Sequence, residues 1–376
     1  VSPRTEKPTY AFAKDDLAFQ ELLEHRDPNV RDLVEARLAV STSIEETRAL
    51  RLLSHAQPAL PLYLNYGKAH TLRWSGGDRM NPQNFGRESL LRRAILAPPG
   101  HKLVIVDSAQ IEARVNAWLA GETALVEAFR SGRDIYSEFA AESVFGCARE
   151  EIDKPKRFVG KVSVLGLGYG TGAAKFQDTL ESGRMGMTVV LPEEMYPAVV
   201  FAYRNRFQAI RQQWYVMEEM LKVMFEGREI VEYGPLTFER DKARLPNGMY
   251  LRYPHLKPGS VRRVCGTGGG MFKTQPTKTI YRDWTYNGGK RIYGAHFVEN
   301  LCQALARCIV AEQILTVADR YRVVLMVHDE AVLCVPEHQA EQALKDTLRA
   351  FHTPRPWCPD LPVAGEGKIN DFYAKG

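Results

Sequence analysis

Paired cysteines are missing from this chain of 376 residues. Its six cysteines (Cys147, Cys265, Cys302, Cys308, Cys334 and Cys358) form no CxxC pair and no Cys/His metal spacing. That excludes a zinc ribbon or a disulfide framework and leaves reduced thiols in a cytoplasmic compartment as the simplest account. No run of about 18 apolar residues is visible, so no membrane span is expected. No signal peptide opens the chain, and its first residue is Val rather than Met, as in a processed product or a shortened piece. The glycines Gly266, Gly268, Gly269 and Gly270 lack the lysine and hydroxyl of a P-loop, so they read as flexible only. The remaining composition is that of a soluble globular protein long enough for two or three compact units. Net charge is +5 and the pI is near 8.8, compatible with a polyanionic partner.

What is present gathers around Lys102 to Glu122. Lys102 to Val106 is a short β-branched run, expected to be a buried strand with Asp107 at its end. From Ile111 the apolar positions Ile111, Val115, Trp118 and Leu119 recur at helical spacing, with Gly121 as the stop. A carboxylate at that strand end suits either a helix N-cap or a ligand for a hard cation such as Mg²⁺.

Upstream, residues 1–14 read as extended and Asp15 to Leu53 as helical, broken near Asp27-Pro28. Pro58 to Phe85 mixes cations (Lys68, Arg73, Arg79), aromatics (Tyr63, Tyr66, Trp74) and amides (Gln83, Asn84). That vocabulary fits nucleic-acid contact as well as an ordinary surface loop. Downstream, Ala124 to Val144 reads as one helix with Asp134 near its middle. Arg157, Lys161, Leu165 and Tyr169 then recur every four residues. A helix drifts only ~40° per such step, so one broad face would carry two cations and a phenol, a pattern suited to a triphosphate or to a solvated stripe. Inside the same stretch, Gly168, Gly170 and Ala173 fit a G-x-G-x-x-A dinucleotide turn, without the acid roughly 20 residues on that such a site needs. Pro192 to Met224 is helical, Glu239 to Gly294 a region of turns and short strands, and Phe297 to Tyr321 an amphipathic helix. Val323 to Pro336 is expected to be a hairpin with His328-Asp329-Glu330 at its turn. Asp107 and Asp329, at strand ends of one sheet, would bracket two divalent ions about 3.5–4 Å apart.

Together these stretches resemble the polymerase portion of family A DNA polymerases, the DNA polymerase I type, and its phage-like branch in particular. Asp107 to Arg114 is similar to D-x-S-x-I-E-x-R. Arg157, Lys161, Leu165, Tyr169 and Gly170 resemble R-x-x-x-K-x-x-x-[FY]-x-x-x-Y-G. His328-Asp329-Glu330 matches H-D-E. His70 to Ser75 and Pro82 to Asn84 resemble the template–primer segment.

The resemblance implies an α+β right-hand polymerase fold with an antiparallel palm sheet, helical fingers and a truncated thumb. Residues 1–55 would be the thumb remnant, 56–120 and 294–376 the palm, and 121–293 the fingers. It implies template-directed addition of deoxynucleoside triphosphates to a primer 3′-OH with two Mg²⁺ ions, Mn²⁺ being a substitute. Asp107, Asp329 and the Ser108 carbonyl would be the metal ligands. Glu330 would support the primer-side metal and Lys161 would act as general acid. Arg157, Lys161, Leu165, Tyr169, Ser108, Gln110 and Glu112 would meet the nucleotide, with Glu112 crowding the ribose 2′ position. Arg73, Gln83, Asn84, Arg114 and His328 would contact primer–template DNA. Ser108, Ala109, Leu165 and Leu72 depart from the usual aromatic, Ser, Phe or Tyr, and Gly, which bears on sugar discrimination, fidelity and rate.

No acidic exonuclease motif is recognisable. A missing amino-terminal thumb and exonuclease part, or a processivity partner, is therefore expected, as is a location in the cytoplasm, that of the host if phage-encoded. A DNA-binding subunit of weak catalysis and a nicotinamide-dependent oxidoreductase are the alternatives.

Overall fold

In the computed structural model of the protein, residues 19, 21–41, 43–55, 59–77, 81–86, 89–183, 185–264 and 279–374 are described. The extended stretch expected at 1–14, Arg79 and the glycine run from Gly266 to Gly270 lie outside them.

Two helices, α1 (Pro28–Ser41) and α2 (Ser43–His55), come first. Pro28 sits at the start of α1, where its missing N–H costs nothing. A small ribbon of β1 (Leu64–Asn65) and β2 (Ser75–Gly76) and the short α3 (Leu90–Arg93) follow. The β-branched run then forms β3 (His101–Ser108), and α4 (Ile111–Ala120) ends at Gly121 in the left-handed conformation.

The single helix expected over 124–144 is three pieces: α5 (Thr123–Arg130), α6 (Ile135–Phe139) and a π-helical segment, Ala140–Phe145. Gly132, at φ 68°, ends α5, so Asp134 is the N-cap of α6 and not a mid-helix residue. Next come α7 (Lys154–Gly166), a 3₁₀ turn over Leu167–Tyr169, α8 (Ala173–Glu181), α9 (Met195–Arg206) and α10 (Gln208–Glu226). The dinucleotide reading needed a strand before Gly168, and a helix stands there. Phe139, Val159, Phe176, Tyr203 and their neighbours close a core among these helices.

The range assigned to helical fingers ends instead in a β module. A four-stranded sheet runs in the order β4 (Val231–Tyr233), β5 (Leu236–Glu239), β6 (Lys242–Arg244), β7 (Tyr250–Arg252). Beside it β8 (Lys257–Val264), β9 (Thr279–Tyr286) and β10 (Lys290–Ile292) form a three-stranded sheet. Phe238, Leu251, Tyr253 and Trp284 pack onto α10 and onto α11 (Gly294–Ala318). By length and composition α11 could cross a bilayer, a property the sequence reading missed, but most of its residues are buried inside the protein, as in a core helix.

The chain closes with β11 (Val323–Val327), β12 (Glu330–Pro336), α12 (Ala340–His352) and β13 (Gly365–Asn370). These strands and β3 make an antiparallel sheet in the order β11-β12-β3-β13. Strand alternation splits β3 between two faces. Val104 and Val106 pack with Val310, Ile314 and Phe351 of α11 and α12. Leu103 and Ile105 pack with Leu325, Val327 and Tyr373 on the other side, and Asp107 follows their parity.

Candidate active site

The register of the sheet assembles the acidic edge. Glu330 of β12 lies directly opposite Asp107 of β3, and the Ser108 N–H donates to the Asp329 carbonyl at 3.0 Å. The hairpin turn is only His328-Asp329, and His328 holds φ 55°, a left-handed conformation that glycine usually supplies at this point of a two-residue turn. Both predicted aspartates are thereby brought to one sheet edge, each half-buried, while His328 is exposed. Ser108 is buried on the α11/α12 face, so only its backbone could serve a metal.

Glu330, expected to support the primer-side metal, is enclosed. It is 1% exposed, and the Tyr373 hydroxyl donates to its Oε1 at 2.5 Å. Arg92, itself buried, donates to that hydroxyl at 3.2 Å and lies 4.9 Å from the Tyr373 ring centroid. Burial first, and then the Glu330 charge, push the Tyr373 phenol far above its usual range. Glu330 thus lies opposite Asp107 with one carboxylate oxygen held by the C-terminal segment.

Among the described residues, no three His, Cys, Asp or Glu side chains converge into a complete metal cage. The donors at the edge are carboxylate and carbonyl oxygens, the kind Mg²⁺ takes. Magnesium is commonly held by one or two carboxylates with substrate phosphates completing its shell. The residues present thus fit a magnesium shared with a phosphorylated substrate.

Beside the carboxylates, Arg73 forms an ion pair with Glu112. Burial lowers the Arg73 guanidinium pKa, opposed by Asp329, Tyr169 and Glu299 nearby. The preceding Leu72 takes φ 60°, which explains why glycine is usual there. The Tyr169 hydroxyl donates to the Glu112 carbonyl at 3.4 Å, and burial drives the phenol well above its normal pKa. Tyr169 lies on the 3₁₀ turn beyond α7, not on the helix itself, because the glycines around it end the helix early.

Three expected DNA or nucleotide contacts are occupied internally. Arg114 is buried and donates to the carbonyls of Ala109 and Pro362, both at 2.8 Å, and to Gln110 Oε1 at 3.1 Å. Gln110 is the left-handed residue before α4 and spends its side-chain oxygen on that bond. Gln83 is buried and donates to the Met326 carbonyl at 3.2 Å, tying its loop to β11. Arg114 and Gln83 thereby satisfy backbone carbonyls that need a donor, while Gln110, half-buried, accepts from Arg114. Asn84 remains exposed, its carbonyl accepting from Arg48 at 3.2 Å.

On α7, Arg157 reaches over to the start of α6 at the surface. Its Nε and Nη2 donate to the two Asp134 carboxylate oxygens at 2.8 and 3.2 Å. Burial would raise the Asp134 carboxyl, but hydrogen bonds from Arg157 and Ser137 outweigh it and hold the group below its ordinary range. Arg157 also lies 5.2 Å from the ring centroid of Tyr136, whose phenol burial pushes up to about 12. Lys161 is half-exposed one turn on, and Leu165 packs at the edge of the helical core. The Asp134–Arg157 pair was not foreseen. A Gly-Arg-Asp run before an apolar helix start was the available signal.

The family model "DNA polymerase family A" matches residues 27–224. The chain is 32% identical over 299 residues to a DNA polymerase of Bacillus phage SP02, an alignment covering 77% of this chain and 44% of that protein. It is 35% identical over 138 residues to the thermostable DNA polymerase I of Thermus aquaticus, covering 37% of this chain and 15% of that one. The chain thus spans less than half of either relative. Among solved structures it resembles the POL domain of Pol1 from M. smegmatis in complex with DNA primer-template and dNTP. The TM-score is 0.64 at 19% identity, covering 98% of this chain and 57% of that one.

Proposed function

The chain belongs to DNA polymerase family A and has its α+β polymerase fold, and from that premise we propose that it extends a DNA primer on a template by nucleotidyl transfer. The observation that carries this is the joining of Asp107 and Asp329 at one sheet edge through the Ser108 N–H, beside the Arg73–Glu112 pair.

Enzymes of this family use divalent metals. Here Asp107, Asp329 and the Ser108 backbone would hold two Mg²⁺ ions, or Mn²⁺ in their place. Bound there, such ions would acidify the primer 3′-OH and offset the charge of the leaving pyrophosphate. The chain's own residues do the rest. Arg157 leaves Asp134 for the triphosphate, and Lys161 grips it and delivers a proton to the departing pyrophosphate oxygen. Glu112, held by Arg73, fills the space of a ribose 2′-OH. Leu165 and Tyr169 border the nucleotide, while His328, Asn84 and Arg73 face the primer–template. Arg114, Gln110 and Gln83 hold this surface in shape from behind.

On this reading residues 1–55 are a thumb remnant, 56–120 and 294–376 the palm, and 121–293 the fingers, with 231–292 as a β module within the last. The two helices α1 and α2 favour a second one: a chain of weak grip that needs a thumb or processivity partner, in the cytoplasm of a host cell. Primer extension by the isolated chain with Mg²⁺ and the four deoxynucleotides separates the two. Binding without any extension would reject the first.

A further inference from the structure

The β module is the most basic part of the chain. From Arg228 to Arg291 there are thirteen lysines and arginines against five aspartates and glutamates, a net of +8. The whole chain carries +5, so everything outside this stretch nets −3.

Strand alternation directs part of that charge outward from the four-stranded sheet. Leu236, Phe238, Ala243 and Leu251 point inward and are buried against α10 and α11. Their neighbours Lys242, Arg244, Tyr250 and Arg252 share the opposite face, with Lys242 paired across the strands to Arg252 and Arg244 to Tyr250. Arg244 and Arg252 are exposed. Lys242 Nζ lies 4.5 Å and the Arg252 guanidinium 5.5 Å from the Tyr250 ring centroid, so cations occupy the aromatic surface. A base would find no free ring to stack on. Lys242 is paired with Glu239 at 2.8 Å on the same face, so a phosphate would meet chiefly the exposed guanidinium groups of Arg244 and Arg252.

The module also touches the palm segment that leads to Arg73. The His70 ring lies 4.8 Å from that of Tyr253 and 5.3 Å from that of Tyr286, centroid to centroid.

Resting on the polymerase reading above, we propose that the outer face of this sheet is a sequence-independent docking surface for the phosphate backbone of the primer–template duplex. It would add grip that α1 and α2 alone do not supply. Duplex DNA carries one charge per ~1.7 Å of its axis, a density that suits point cations without stacking.

The test titrates fluorescent primer–template duplex with the full chain at several salt concentrations and follows extension in parallel. Arg244→Ala/Arg252→Ala should bind at least tenfold more weakly near 0.1 M salt, and the slope of log K against log salt should fall by about 1.8. Arg244→Lys/Arg252→Lys keeps both charges and should stay within about twofold of wild type. An unchanged slope in the alanine variant, or equal loss in the lysine variant, overturns the proposal. So does a loss seen only with substrates bearing a long single-stranded template. If wild type binds duplex but never extends it, the polymerase reading fails while the binding comparison still stands.

Discussion

Arg157 and Asp134 join α7 to the start of α6 through two hydrogen bonds of 2.8 and 3.2 Å. The same carboxylate caps α6 by accepting from the Ser137 N–H and hydroxyl. A cation proposed to meet a triphosphate is thus held by a carboxylate that anchors its own domain. Asp134→Asn keeps the cap and removes the charge, so Arg157 leaves more readily. Both groups are more than a third exposed, so the effect is on the order of 0.5–1 kcal/mol. The KM for nucleotide should fall two- to fivefold, and a rise would show that Asp134 instead aims Arg157 at its substrate.

The same pair has an acid signature. The Asp134 carboxyl is depressed in the fold, so its contribution is complete above the ordinary value of 3.8 and is lost as pH falls through the lower folded value. Urea melts should therefore show a stability gap between wild type and Asp134→Asn at neutral pH that closes below about pH 4. A gap independent of pH would assign it to the cap alone.

Asp107→Asn and Asp329→Asn should each reduce extension by roughly 10³-fold or more, since each removes a carboxylate proposed to hold the charge-stabilising ions. Circular dichroism should report an intact fold for both. Near-normal extension by either variant sinks the two-metal assignment.

Glu112→Ala opens the space proposed for a ribose 2′-OH and releases Arg73 from its ion pair. Ribonucleotide incorporation relative to deoxynucleotide should rise at least tenfold in competition. An unchanged ratio removes Glu112 from the sugar-discriminating position.

Gly160 lies between Arg157 and Lys161, and a Cβ there would fall 2.1 Å from the Tyr136 carbonyl. Gly160→Ala must push α7 off α6, at a cost of about 1–3 kcal/mol. Lower stability and a higher nucleotide KM are expected together. An alanine variant as stable as wild type would mean that the two helices slide apart freely.

Leu165 has no polar atom to replace a missing 3′-OH. Leu165→Tyr should relax discrimination against dideoxynucleotides through a new hydrogen bond worth on the order of 1 kcal/mol. If chain termination is no more frequent than in wild type, Leu165 does not face the sugar.

Local pattern was enough to read the strand before Asp107, the hairpin at His328-Asp329-Glu330 and the helix bearing Arg157 and Lys161. In each, the period of buried side chains and the turn residues act within a few positions of one another. Three ordered motifs then pointed to the family. Partnership was not legible, because it depends on residues far apart in the chain. Nothing near Glu330 announces Tyr373, 43 residues on, and nothing near Arg114 announces the Pro362 carbonyl. Arg114 and Gln83 carry side chains suited to DNA and face backbone instead, because a buried carbonyl must find a donor wherever the fold leaves one. The β module follows the same division. From Glu239 on it was visible only as a region of turns and short strands, and β4 and most of β5 lay before that region. Packing on α10 and α11 decided which residues turned inward and which cations were left on the outside.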